Sequence, residues 1–390
     1  MRLLFLSQGR TIDDQPDFAV SFQNATSEGK RIEVVNLPFI GYAEKYGWAK
    51  FFDEVVRTNE EFRPDVVYFQ FFHSTKASVA SPADCIRRLR ESDNRPLIFG
   101  SLGDPFHVGA FSFLARRMPQ PLKDLAANCD AFFSTSMGGV ASELVSLGAR
   151  NVVFLPHAFC PQHFRLPEKF PEAEKEFDAV FLGSYAPIFG FRVWLAYRRG
   201  FARKLTVMEL TRKFGSRFGL FGRGWSGVSA RGLVPFKQQL DVFRQSKTAV
   251  DVPAQIDDTY YASDRPFFIA GSGTPLVMRY VDRFDKILKP ERDVYFAKTI
   301  KEIPEVCERV ARLPNEVLKH RFEETLSLIK ARHMVDNRVD TIISTAEAIL
   351  KHRRGKLTLV QALRNLRLWH FLPEVDIEEE RKYAIANWVG

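Results

Sequence analysis

Through residues 1–155 the chain alternates short apolar runs with longer amphipathic stretches. The apolar runs, rich in Val, Ile, Leu and Phe, are Arg2–Leu6, Arg31–Asn36, Asp65–Phe71, Pro96–Gly100, Ala131–Ser134 and Asn151–Leu155. Runs of this length and composition predict strands buried on both faces. Helical spacing of apolar positions lies between them at Trp48–Phe62, Ala80–Glu91 and Ser136–Leu147, the last stopped by Gly148. Strand and helix in this rhythm predict a parallel sheet covered by helices. The rhythm pauses at 156–176, where Pro156, Pro161, Pro167 and Pro171 stand among charged residues, as in an interdomain linker. It then resumes: strand Phe177–Leu182, helices over 190–214, strand Arg217–Phe221, helix Pro235–Gln245, strand Thr248–Val252, helix Arg265–Ala270 and strand Pro275–Met278. Residues 299–350 read as mainly helical, and Leu357–Phe371 as a further amphipathic helix. The expected fold class is α/β, two Rossmann-like doubly wound domains facing a cleft. The expected organisation is 1–160, a linker at 161–176, 177–345, and a helical segment at 346–390.

Length and composition agree with this. The 390 residues suit two domains, and 45% hydrophobic with 26% charged residues excludes a disordered or fibrous chain. The 36 phenylalanines supply large apolar side chains for the cores. The four cysteines, Cys85, Cys129, Cys160 and Cys307, are scattered without a C-x-x-C pair, which fits reduced thiols and argues against a disulfide framework. His157, Cys160 and His163 lack zinc-site spacing, so no metal is expected. The N-terminal apolar run is too short for a signal-peptide core, and no stretch reaches membrane-spanning length. The expected location is cytoplasmic.

Charge changes the picture more. The formal net charge is +9. Residues 192–231 carry ten basic side chains against Glu209 alone, and 351–373 carry Lys351, Arg353, Arg354, Lys356, Arg364 and Arg367 with no acid. Such clusters suit phosphates, nucleic acid or anionic lipid, or form solvated helix faces with counter-charges brought in by the fold. Trp369 and Phe371 beside the second cluster offer peripheral contact with the inner face of a membrane, against a packed terminal helix.

Open α/β sheets bind ligands at the C-terminal ends of their strands, so the loops there hold the candidate chemistry. Gly183-Ser184 follows one strand and precedes a helix containing Arg192, a backbone and side chain suited to an anion. Gly222-Arg223-Gly224-Trp225-Ser226-Gly227 spells G-x-G-x-x-G, but no helix pattern opens at its third glycine. A dinucleotide fingerprint is therefore not expected; the loop suits a phosphate or a simple tight turn. In Tyr260-Tyr261-Ala262-Ser263-Asp264-Arg265-Pro266, Ser263 or Asp264 begins a helix with Arg265 at its positive end. That helix ends in Gly271-Ser272-Gly273-Thr274-Pro275.

Phe177–Gly183, the Gly222–Trp225 loop and the Ser263-x-Arg265…Gly273-Thr274-Pro275 block together resemble the donor half of two-domain GT-B glycosyltransferases, and within them the CgeB-like spore-maturation group. The resemblance spans about residues 150–300; the N-terminal half shares only the strand rhythm. It implies a C-terminal domain holding a nucleotide-diphosphate sugar, with Gly183, Ser184, Arg192, Gly222, Arg223, Trp225, Tyr260, Ser263, Arg265, Gly273 and Thr274 on the donor side. It also implies a last helix, within 334–371, crossing back to the first domain. The chain departs from the pattern at Phe268, where a ribose-binding glutamate is usual, and at Tyr260, where the wider superfamily often has another. Asp257, Asp258 and Asp264 are the nearby carboxylates that could substitute. On the N-terminal side, Asp104 is the first candidate for a general base on the acceptor hydroxyl and His73 the second, should the transfer invert the anomeric centre.

These readings predict metal-independent transfer of a sugar to a hydroxyl of an anionic glycan or lipid-linked acceptor, in surface polysaccharide assembly. The alternatives are a DNA-modifying glycosyltransferase, a nucleic-acid-binding protein with an inert cleft, or other sugar-nucleotide chemistry such as epimerisation.

Overall fold

The computed structural model describes residues 1–73, 79–103, 118–172, 174–185, 192–227, 229–253, 258–358 and 361, with backbone alone over 192–201. Backbone contacts divide the described residues into two units, one running to Pro156 and rejoined by the chain from Val335, the other spanning His157–Met334.

The first unit opens with β1 (Arg2–Ser7), α1 (Pro16–Asn24), a short antiparallel hairpin of β2 (Thr26–Ser27) and β3 (Lys30–Arg31), and β4 (Glu33–Pro38). It continues through α2 (Phe39–Tyr46), α3 (Trp48–Phe62), β5 (Val66–Phe69), α4 (Ala83–Glu91), β6 (Leu97–Leu102), α5 (Gln120–Asn128), β7 (Ala131–Ser134), α6 (Gly139–Ser146) and β8 (Val152–Phe154). Six strands pair in parallel in the order β4-β1-β5-β6-β7-β8. Parallel neighbours require crossover connections, and the amphipathic helices supply them. Leu3–Leu6 and Val66–Phe69 are almost wholly buried, which is why these strands read as unbroken apolar runs. Phe51, Val55 and Val56 of α3 turn one face into the same core.

The second unit repeats the plan with β9 (Ala179–Leu182), α7 (Arg192–Phe214), β10 (Phe218–Phe221), α8 (Gln239–Arg244), β11 (Ala249–Asp251), α9 (Arg265–Ser272), β12 (Leu276–Arg279), β13 (Tyr295–Ala297), α10 (Ile303–Ala311) and α11 (Asn315–Arg332). Its five parallel strands lie in the order β10-β9-β11-β12-β13. Pro266 sits in the first turn of α9, and Gly273 closes that helix in the left-handed region at φ +85°.

The chain then returns. α12 (Val335–Arg353) belongs to the first unit, where it packs on α1. Val339, Ile342, Ala346 and Ile349 form its buried face. Asp336 accepts a hydrogen bond from Ser21, Glu347 accepts one from Ser27 at 2.7 Å, and Arg353 pairs with buried Asp130 at 2.6 Å. The helix expected over Leu357–Phe371 lies almost wholly outside the described residues.

Candidate functional site

The densest constellation of candidates lies at the C-terminal edge of the second sheet. β9 and β10 run side by side and end in Gly183 and Gly222, whose backbones touch. A Cβ at Gly222 would stand 2.3 Å from the Gly183 carbonyl oxygen, and Gly222 has φ +130°, so only glycine fits there. The Gly183 amide donates to Phe221 and the Tyr185 amide to Arg223, lacing the two loops together. Trp225 closes them: its Nε1 donates to the Gly183 carbonyl at 2.6 Å, and its ring stacks on Tyr185 at 4.9 Å. The G-x-G-x-x-G letters therefore build a strand-to-strand clasp. Past Gly227 the described chain lies parallel beside β10, with the Leu220 amide donating to Ser229 and the Arg231 amide to Leu220, and among the described residues no helix begins there. Arg223 is left exposed at the tip.

β11, next to β9, ends in Asp251, and α9 begins with Arg265. The Arg265 Nη1 donates to Asp251 Oδ1 at 2.5 Å, with the aspartate side chain fully buried and the arginine side chain 15% exposed. Burial opposes the guanidinium's charge, but Asp251, Asp264 and Tyr261 more than offset it and hold the pKa of Arg265 above its ordinary value. A Cβ on Gly183 would be 3.9 Å from the Arg265 guanidinium carbon, so the cation lies over the glycine turn. Just before it, the Ser263 hydroxyl is buried with no hydrogen-bond partner among the described residues. Glycine turns, a helix N-terminus and a fixed guanidinium are the parts that bind a phosphate.

Two residues of this edge escaped the sequence. Arg203 of α7 reaches across the strand ends, donating from Nε to the Val252 carbonyl at 3.3 Å and from Nη1 to Ser184 at 3.4 Å. Nothing in the pattern distinguishes it from the other basic residues of that helix. Asp251 carried a faint signal: a carboxylate closing an otherwise apolar strand.

Other expectations need correction. Gly273 and Thr274 precede β12, and Pro275 accepts from the Ala249 amide at the start of β11. They therefore sit at the N-terminal edge of the sheet, the length of α9 away from Arg265, because a crossover helix runs antiparallel to its strands. Tyr260 has its backbone in the left-handed region at φ +65° and is 1% exposed, its hydroxyl accepting from Arg283. Phe268 is equally buried, in an aromatic cluster with Phe159, Phe164 and Phe236 at ring distances of 6.2, 4.7 and 5.9 Å. That cluster explains the absent carboxylate, since an unpaired charge among three phenyl rings would be strongly disfavoured. Asp258 turns its Oδ1 to the Thr259 amide, and Asp264 is the residue preceding α9. The Arg192 side chain and all of Asp257 lie outside the described residues.

Part of each basic cluster is neutralised within its unit. Arg212 pairs with Glu209, Lys213 with Glu308 and Arg217 with Asp178, while Lys351 pairs with Glu28 and Arg353 with Asp130.

In the first unit, His73 follows β5 and is 8% exposed, its carbonyl accepting from Gln8 Nε2 at 2.6 Å. Gln70, Ser101 and Thr135 stand at the ends of neighbouring strands; Ser101 Oγ accepts from Tyr68, and Thr135 Oγ1 donates to the Gly103 carbonyl. Asp104 lies outside the described residues.

Comparison with solved structures then decides the architecture. An α-glucosyltransferase in complex with UDP-glucose and DNA containing an abasic site superposes with a TM-score of 0.59, at 12% identity, over 88% of this chain and 99% of that one. A UDP-forming α,α-trehalose-phosphate synthase from Burkholderia vietnamiensis gives 0.57, at 12% identity, over 89% and 100%. Anabaena Alr3699/HepE in complex with UDP gives 0.54, at 10% identity, over 92% and 100%. The fold is that of the GT-B glycosyltransferases. Residues 198–344, which include Arg203, Gly222, Asp251 and Arg265, also match the model of the Glycosyl transferase-like family. A search of curated proteins finds no match to the sequence. Among the described residues, no helix of this GT-B chain is long and apolar enough to cross a membrane.

Proposed function

We propose that the protein is a glycosyltransferase that takes a sugar from a nucleoside diphosphate donor, a UDP-sugar in the first instance, and joins it to a hydroxyl of an anionic glycan or lipid-linked acceptor. The observation that carries this reading is Arg265, a guanidinium fixed at the N-terminus of α9 over the Gly183–Gly222 turn. A diphosphate on that edge would take charge-assisted bonds from Arg265, with exposed Arg223 beside it. The glycosyl transferase-like match, over 198–344, includes Gly222, Arg223 and Arg265, and the solved neighbours include structures holding UDP or UDP-glucose.

In the transfer, the bond from the anomeric carbon to the donor's β-phosphate oxygen breaks and a bond to the acceptor oxygen forms. Negative charge grows on the departing diphosphate, where a preorganised cation stabilises it most. For an inverting reaction, His73 or Asp104 would take the acceptor proton. A role in surface polysaccharide assembly, and closeness to the CgeB-like group, are the finer parts of this proposal.

Calorimetric titration with UDP, GDP, TDP, ADP and CMP tests it. UDP is expected to bind, and Arg265→Lys, which keeps a charge opposite Asp251 but loses the planar fork, to bind about 10-fold more weakly. Absence of binding by every nucleotide would overturn the reading. The DNA-bound neighbour favours a second acceptor, DNA. UDP-glucose turnover that requires DNA, and falls steeply with salt, would establish that acceptor instead.

A further inference from the structure

Asp251 is a carboxylate without exposure at the end of a strand, and its hydrogen bonds go to one place. Oδ1 accepts from Arg265 Nη1 at 2.5 Å, and Oδ2 is buried with no partner among the described residues. Asp130, the buried aspartate of the first unit, differs in anchoring backbone as well: its Oδ2 accepts from the Ile98 amide while its Oδ1 pairs with Arg353. Asp251 holds only a side chain, and that side chain has no other hydrogen-bond partner among the described residues. The guanidinium is therefore fixed by one arm, with Nε and Nη2 left for a ligand. A guanidinium recognises phosphate as a planar two-pronged fork, and its strength depends on the direction of that fork.

We propose that Asp251 is a positioning residue for donor binding: by pinning Nη1 it aims the remaining edge of Arg265 at the diphosphate of the nucleotide. The inference rests on the donor reading above. It makes Asp251 relevant to the diphosphate and irrelevant to the nucleoside, a distinction that general structural support would not produce.

The experiment compares UDP and uridine binding by calorimetry in wild type, Asp251→Asn, Asp251→Ala and Asp251→Glu, with folding checked by circular dichroism. Asn keeps an acceptor opposite Nη1, so UDP affinity is expected within about 3-fold of wild type. Ala removes the pin and Glu displaces it by one methylene, and both are expected to weaken UDP at least 10-fold while uridine binds as before. Glu keeps the buried charge balanced, so it carries the test if Ala does not fold. UDP binding to Ala or Glu at wild-type strength would overturn the inference. So would UDP and uridine weakening together in Asn and Glu. Failure of wild type to bind any nucleoside diphosphate is a different result, because it overturns the donor reading and this inference falls with it.

Discussion

At the C-terminal edge of the first sheet, the side chains described include two amides, two hydroxyls and an imidazole: Gln8, Gln70, Ser101, Thr135 and His73. At the same edge of the second sheet stand Asp251, Arg265, Arg203 and Arg223 around two touching glycines. Both sheets are parallel and covered by helices, so the backbone plan does not cause the difference. Neutral donors and acceptors suit sugar hydroxyls, whereas a fixed guanidinium over a glycine turn suits phosphate. Among the described residues, one architecture used twice thus presents two chemistries, each written in a few residues after the strands.

The strongest way to break this comparison is to remove the charge from the second edge. Arg265→Ala leaves the Asp251 carboxylate buried and uncompensated, and stability is expected to fall by about 3–5 kcal/mol in urea unfolding. A loss below about 1 kcal/mol would mean the pair is hydrated in solution. Next comes the glycine contact. Gly222→Ala forces a side chain onto the Gly183 carbonyl at a positive φ, expected to cost about 1–3 kcal/mol and to weaken UDP binding. Gly232→Ala, also at positive φ but with open space around it, is the control and should cost less and spare UDP. Trp225→Phe removes one hydrogen bond from the clasp, with an expected loss of about 1 kcal/mol seen as a small shift in unfolding midpoint.

The smallest effect concerns acid. Arg217, then Lys247, hold the Asp178 carboxyl below its usual range, against the opposing effect of partial burial. Its contribution is fully present above about pH 4 and is lost as pH falls further through the depressed value. Asp178→Asn should therefore flatten the acid limb of a stability–pH curve while leaving UDP binding at neutral pH unchanged.

Much of this was legible beforehand, for reasons that differ by residue. Every strand of the two large sheets except the three-residue edge strand β13 announced itself, because a strand buried on two faces must be apolar throughout, as in Leu3–Leu6 and Ala249–Val250. Gly222 and Arg265 were visible because turns and helix starts restrict which residue types fit. Thr274 was misplaced because a motif read along the chain ignores that α9 separates its two ends by the height of the sheet. The role of Phe268 was hidden because its partners Phe159, Phe164 and Phe236 lie far from it in sequence.

The sequence by itself determined what is local: the alternation of strand and helix, the two-fold repetition of the α/β plan, and the glycines and arginine set after strands. Only the tertiary structure decided what depends on pairing at a distance. It joined Arg265 to Asp251, laid Gly222 against Gly183, and packed Phe268, in the place of a carboxylate, against three other aromatic rings. The physical reason is that hydrophobic periodicity and turn chemistry act over a few residues. A buried ion pair or ring contact acts over a few ångströms, whatever length of chain lies between its partners.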